Sequence, residues 1–108
     1  VAFYTAMIKK LQASGIQVIV CTPAVIGERT DFSNSLDGDL NRYSQMKRDL
    51  ASKYGCGLVD LRKAFLEYNR VNNPDNKESG ILTTDRVHLN PKGNQLLADL
   101  MFKGLPTK

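Results

Sequence analysis

The run Ile16-Gln17-Val18-Ile19-Val20-Cys21 constrains this chain more than any other stretch. It is almost unbroken in β-branched residues, and a strand of that kind packs on both faces instead of alternating between core and water. A strand covered on both faces belongs to a parallel sheet flanked by helices. A second, shorter strand is expected at Gly57-Leu58-Val59-Asp60. The segment between them is long enough to hold a helix, so the two strands should pair in parallel through a right-handed crossover. The expected fold class is therefore α/β.

Four helices fit around that pair. The first is expected over residues 2–13, where Phe3, Met7 and Leu11 recur every four residues with Tyr4 and Ile8 beside them. That spacing makes one apolar stripe, with Lys9, Lys10 and Gln12 turned away and Gly15 closing the helix. The second starts at Gly38 or Asp39, capped by Asp37 or Asp39, and runs to Tyr54 with Gly55 as its stop. Leu40, Tyr43, Met46, Leu50 and Tyr54 form its apolar face. Leu61, Ala64, Phe65 and Tyr68 mark a third, short helix. Asp60 before it reads either as a carboxylate facing a site or as an N-cap, and the strong capping preference of aspartate favours the cap. The last helix runs from Pro91 to about Lys103, with Asn90 as its cap and Pro91 at the first position, where a missing N–H costs nothing. It should bury Leu96, Leu97, Leu100 and Met101, and Gly104 with Pro106 should end it.

The connections are of two kinds. Residues 22–36 hold Pro23, Gly27, Asp31, Ser33, Asn34 and Ser35, a long loop leaving the carboxyl end of a strand, where such folds place substrate-contacting segments. Thr22 and Glu28 are its polar residues of interest, and a plain connection is the alternative. Residues 72–79 are polar and rich in helix breakers, as expected of an exposed loop. No internal repeat is present.

Composition excludes several classes of function. With 42 % apolar and 24 % charged residues the chain is globular. Its formal charge of +4 comes from scattered pairs such as Lys9-Lys10, Lys47-Arg48 and Arg62-Lys63. These read as solvated helix faces, and without a basic patch interleaved with aromatics no nucleic-acid partner is expected. No apolar run is long enough for a membrane span. No charged-then-apolar leader opens the chain, which says nothing of where the protein resides, although a secreted or periplasmic location is the leaning. His, Cys and carboxylates nowhere stand at ligand spacing, so no metal and no cofactor are expected. Cys21 and Cys56 fall at the end of one strand and the start of the next, too far apart for a disulfide, and both are expected reduced and buried. Cys21 as a nucleophile is the minor alternative to Cys21 as packing.

Chemistry concentrates at one turn. His88 is the single histidine, and Asp85 precedes it by three residues. Imidazole is the one side chain that takes and returns a proton near neutrality without a shifted pKa. One tight turn can set the Asp85 carboxylate on a ring nitrogen, fixing the tautomer and stabilising the imidazolium as the orienter of a triad does. The bland alternative is a capping aspartate beside a surface histidine.

The block Asp85-Arg86-Val87-His88-Leu89-Asn90-Pro91-Lys92-Gly93-Asn94, with the apolar helix behind it, resembles the closing block of the SGNH (GDSL-type) hydrolase family, Asp-x-x-His-Leu/Pro-x-x-x-Gly. The strand ending in Cys21-Thr22-Pro23 and the later Gly57-Leu58-Val59-Asp60-Leu61 are similar to the last two strands of that family. The resemblance implies a flavodoxin-like three-layer α/β/α domain. It also implies a serine ester hydrolase in which His88 is the general base and Asp85 its orienter. Arg86 stands where members mostly have glycine, a departure that bears on substrate access. Arg86 and Asn90 themselves are read as local structure.

The Gly-Asp-Ser-Leu block that carries the nucleophile of this family, and the two blocks with its oxyanion-hole glycine and asparagine, do not occur in the 108 residues. Gly38-Asp39-Leu40 is no substitute, because it lacks the serine and stands before a helix. The expectation is a C-terminal portion of one hydrolase domain, inactive alone, whose parent acts on a small-molecule, carbohydrate or lipid ester. Strand Ile16–Cys21 would then have an uncovered edge, so self-association is expected. A non-catalytic α/β binding or assembly module is the competing reading. An unrelated flavodoxin-like ligand-binding domain has no Gly-rich phosphate loop to support it.

Overall fold

A computed structural model describes residues 2–105 of the chain. The elements follow in the order α1 (Ala2–Ala13), β1 (Ile19–Cys21), α2 (Asp37–Tyr54), β2 (Gly57–Val59), α3 (Leu61–Asn72) and α4 (Pro91–Gly104). The strands pair in parallel, with Ile19 opposite Gly57 and Cys21 opposite Val59. The expected α/β class and the parallel pair are both present. The strand expected from Ile16 is only three residues long, because β2 offers no partner beyond Gly57 and a ladder extends only as far as both chains pair. Ile16 itself is half exposed.

Helix ends follow local chemistry. Gly15 takes φ +77° after α1 while the Ile16 N–H reaches back to the Leu11 carbonyl, and Gly55 does the same after α2 with Cys56 N–H on Ala51. Asp60 caps α3 by accepting from the Lys63 N–H, as expected, and Asn90 caps α4 by accepting from the Gly93 N–H at 2.8 Å. α2 departs from expectation, since Leu36 is its N-cap and supplies no side-chain bond. Asp37 lies inside the first turn, buried, and its carboxylate holds Arg62 instead. Pro106, expected to help stop α4, lies outside the described residues.

One face of the sheet joins Ile19, Cys21 and Val59 to Phe65 and Leu61 of α3, Val25 and Leu82 of the loops, and Leu96, Leu97 and Leu100 of α4. Alternation turns Val20 and Leu58 to the other face, where α2 runs along both strands with Leu50 and Ala51 buried. α1 lies beside α2, with Lys47 over the Tyr4 ring and Gln12 donating to the Tyr54 carbonyl. Of the α1 stripe only Ile8 is buried. Phe3 is 74 % exposed and Met7 is open as well, as are Tyr43 of α2 and Met101 of α4, contrary to the stripes expected to be buried. The molecule is a slab of 47 × 30 × 19 Å, with a radius of gyration of 15.1 Å where a self-contained domain of this length has about 13 Å. Both cysteines are free and half-buried, less covered than expected, and Cys21 turns its thiol towards the Met101 sulfur in the packed layer.

The charged pairs are not uniformly solvated. Arg62 is buried, its guanidinium donating to Asp37, Asn41 and the Ala24 carbonyl, and Arg48 grips Asp60 at 2.7 Å. A guanidinium survives burial only when its donors find acceptors, and these do.

Gly93 shows how tightly α4 is seated. A Cβ there would run into the Leu82 carbonyl, whereas one at Gly38 would meet open space. Gly93→Ala should therefore destabilise the fold by about 1–3 kcal/mol. Gly38→Ala should stabilise α2 by about 0.5–1 kcal/mol. Urea midpoints of the two variants should move in opposite directions.

Candidate active site

The turn around His88 is a short hairpin with its own ladder. Thr84 N–H donates to the His88 carbonyl, Asn90 N–H to the Leu82 carbonyl, and Thr83 bridges antiparallel to Leu89. Arg86 sits near its tip at φ +82°. A left-handed backbone costs a non-glycine residue about 1–2 kcal/mol, which explains physically why glycine suits this position. Arg86 is held there by its own N–H on the Thr83 hydroxyl and by its carbonyl, which accepts from the Gly27 N–H.

Inside this hairpin Asp85 does what its spacing suggested. Its Oδ1 accepts the N–H groups of Val87 and His88, and its Oδ2 lies 2.7 Å from His88 Nδ1. The backbone N–H of His88 first, then its ring, then the Val87 N–H hold the Asp85 carboxyl down from its ordinary 3.8 to about 2. The carboxylate draws the ring proton to Nδ1 and leaves the Nε2 lone pair outward, the tautomer a general base requires. The His88 side chain is 79 % exposed, so nothing in the described residues shields it.

The turn is anchored by Glu28. This side chain is 1 % exposed, and its carboxylate accepts from the N–H groups of Ile81, Leu82 and Thr83, the Thr83 hydroxyl and the Asn69 amide. Thr22, equally buried, donates to Asp60 and accepts from the Arg62 N–H. Both side chains are engaged by protein partners, so the loop 22–36 contributes to the site through its framework at these two positions. Asp60 also serves structure. Burial pushes its carboxyl up, but hydrogen bonds from Arg48, Thr22 and the Lys63 N–H outweigh that and hold it below the ordinary range. The loop 72–79 is mostly exposed, as expected, and is tied down at buried Asn73, which donates to the Glu28 and Lys77 carbonyls.

Arg62, Asn69 and Asn73 were invisible as framework residues in the sequence. Their partners lie far along the chain, and only the polar character of the positions hinted at them. No group of three or more His, Cys, Asp or Glu side chains that could hold a metal occurs among the described residues. None of their helices is long and apolar enough to cross a membrane.

Two outcomes follow. Glu28→Gln replaces an acceptor by an amide whose N–H would face other donors, and should cost about 3 kcal/mol or more, read from urea denaturation. Asp85 binds fewer protons folded than unfolded between its two pKa values, so its contribution is full above pH 3.8 and lost as pH falls through about 2. An NMR titration should accordingly keep the Asp85–His88 turn ordered at pH 4 and find it loosened near pH 2.

Comparison with known proteins follows the same lines. The model of the GDSL-like Lipase/Acylhydrolase family matches residues 1–96. None of the curated proteins compared matches the chain. Among solved structures, the acetyl xylan esterase AlAXEase is 55 % identical with a TM-score of 0.94, over 97 % of this chain and 53 % of that one. An arginine-to-alanine mutant of Axe2, an acetyl-xylooligosaccharide esterase from Geobacillus Stearmophilus, shares the fold at 20 % identity and a TM-score of 0.79, over 99 % of this chain and 46 % of that one. LAE5, an alpha/beta hydrolase enzyme from the metagenome of Lake Arreo, Spain, is 26 % identical with a TM-score of 0.67, over 94 % of this chain and 45 % of that one. The chain thus spans about half the length of the structures it matches. With its parallel strands, its helices and a family match over most of its length, the chain belongs to the GDSL-like lipase/acylhydrolase family.

Proposed function

We propose that this chain supplies the base and orienter of a serine esterase acting on acetylated carbohydrate. The observation that carries the reading is the 2.7 Å contact between Asp85 Oδ2 and His88 Nδ1, within a turn whose other hydrogen bonds leave Nε2 free. The likeness to an acetyl xylan esterase at 55 % identity supports the substrate class.

In this reaction a serine hydroxyl attacks the acetyl carbonyl while His88 Nε2 takes its proton. A tetrahedral oxyanion forms and collapses, and the imidazolium returns the proton to the sugar hydroxyl that leaves. Water then repeats the sequence on the acetyl-serine and releases acetate. Asp85 stabilises the imidazolium throughout and stays ionised. The serine and the oxyanion donors come from outside these 108 residues, so the chain by itself is inactive and forms the C-terminal portion of one SGNH domain.

The test is intact mass after fluorophosphonate treatment of the longest natural form of the protein. One adduct on a serine, formed at least about 10³-fold more slowly in His88→Ala, is expected. A folded protein that takes no label would remove the esterase reading.

A second reading, an assembly module, is favoured by one observation. Among the described residues β1 pairs only with β2, leaving its other edge free, and Ile16 just before it is exposed. Such an edge templates pairing with a further strand. The isolated chain is therefore expected to self-associate, and light scattering at micromolar concentration should give more than a monomer mass.

A further inference from the structure

Phe32 is the residue least explained by the fold. Its backbone is left-handed at φ +59°, a conformation that bulky residues rarely adopt, yet its ring is 57 % exposed and gains little from burial. The segment is held in that conformation from both sides. Asn76 accepts from the Thr30 N–H and donates to Asp31, and Asp31 accepts from the Ser33 N–H. Strain that the surroundings maintain and the core does not use points outward, to something the residue meets from solvent.

The ring borders a cleft of about 390 Å³ between the loop 22–36 and α3. That volume lies in the range of small-molecule sites, roughly 300–1,000 Å³. Its walls are mostly apolar, with Val25 and Leu66 joining Phe32, and its charged residues are mainly cations. Arg29, Arg48, Lys63 and Arg70 line it against two carboxylates, Glu28 and Glu67. Both carboxylates are engaged already, Glu28 by buried amides and Glu67 by two bonds from Arg70. Arg48 is occupied in the same way by Asp60. Two cations keep donors to spare. Arg29, on the loop side, approaches Glu78 only at 3.5 Å, and the exposed Lys63 ammonium, on the helix side, forms no ion pair among the described residues. Lys63, Leu66 and Arg70 are spaced by three and four positions, so α3 turns all three to one face.

We infer that this cleft is a binding site for a small aromatic carboxylate, whose ring lies against Phe32 and Leu66 and whose charge is met by Lys63 and Arg29. Neither Asp85 nor His88 lines the cleft, and the assignment does not rest on the esterase reading. An apolar pocket with unspent cations selects a ligand that is apolar at one end and anionic at the other. A neutral apolar molecule gains nothing from the cations, and a small hydrophilic anion gains nothing from Val25, Leu66 and Phe32. Among amphipathic anions a planar aryl ring is favoured over an alkyl chain, because it pairs with the Phe32 ring and gives up fewer rotamers on binding.

The test titrates naphthalene-2-carboxylate by calorimetry into the longest natural form of the protein. Naphthalene-2-carboxamide, which keeps the ring system and removes the charge, is titrated beside it. One saturable site for the carboxylate is expected, at least about 10-fold tighter than for the amide and weakening as salt is raised. Phe32→Asn removes the ring while asparagine tolerates the left-handed backbone, and should weaken binding about 10-fold. Lys63→Gln should weaken the carboxylate about 5-fold and leave the amide unchanged. Phe3→Ser, at an exposed aromatic residue that does not line the cleft, should change neither. Equal affinity for carboxylate and amide overturns the inference. So does the absence of saturable binding, as where further chain fills the cleft, and so does binding indifferent to both Phe32 and Lys63. Because the readout is binding and not turnover, failure here leaves the esterase reading untouched, and loss of that reading leaves this site standing.

Discussion

The buried carboxylate of Glu28 organises more of this structure than any apolar contact. Three consecutive amide N–H groups, from Ile81 to Thr83, converge on its two oxygens. Successive N–H groups in irregular backbone have no ladder to join, and left unpaired under the loop they would each cost what a lost hydrogen bond costs. One carboxylate serves all three and adds the Thr83 hydroxyl and the Asn69 amide. Taking an ionised carboxylate from water costs several kcal/mol, and only such a dense set of donors offsets it. An apolar residue at position 28 would avoid that cost and lose the direction. What Glu28 specifies is where residue 83 leaves the core, and hence where the hairpin carrying Asp85 and His88 begins.

From that fixed point the remaining framework is a relay of local decisions. The Leu82 carbonyl receives the Asn90 N–H, the Asn90 side chain bonds the Ile81 carbonyl with one end and caps α4 with the other, and Gly93 lets α4 lie against the Leu82 carbonyl. On the other side of the sheet end, Thr22 and Asp60 bind each other and the start of α3, while Arg62 crosses beneath them to Asp37. The buried Arg62–Asp37 pair is better understood as positioning than as net stability, because desolvation of both ions cancels much of their attraction. It sets the loop 22–36 against α2 and α3 at once.

These two layers differ in how far the sequence reveals them. The two strands were legible from their own apolar runs, and the Gly15 and Gly55 stops, the Asn90-Pro91 start and the Asp85–His88 turn because each depends on residues within six positions of one another. The anchoring roles of Glu28, Arg62, Asn69 and Asn73 were not, although Glu28 stood out as a polar residue of its loop. Their partners lie 25 or more positions away in most cases, and a polar residue in a loop carries no mark of whether it faces water or a buried amide. The expected burial of Met101 failed for a related reason, and the apolar stripe of α1 likewise leaves Phe3 and Met7 exposed. A helical stripe shows which face is apolar but not whether this chain holds the surface that covers it.

The same distinction separates what the turn can do alone from what it cannot. The low pKa of Asp85 is produced by amides two and three residues away and by the ring it orients, with burial acting in the opposite direction. Carboxylate, tautomer and ring position are therefore set by the hairpin itself, and survive at a surface where His88 stands open to water. Orientation of the imidazole is a local property. Rate acceleration is not, because an oxyanion is stabilised strongly only by donors fixed in a site from which water is excluded. The hairpin can therefore fix the Asp85–His88 pair by itself, while any chemistry proposed for that pair rests on groups beyond the turn.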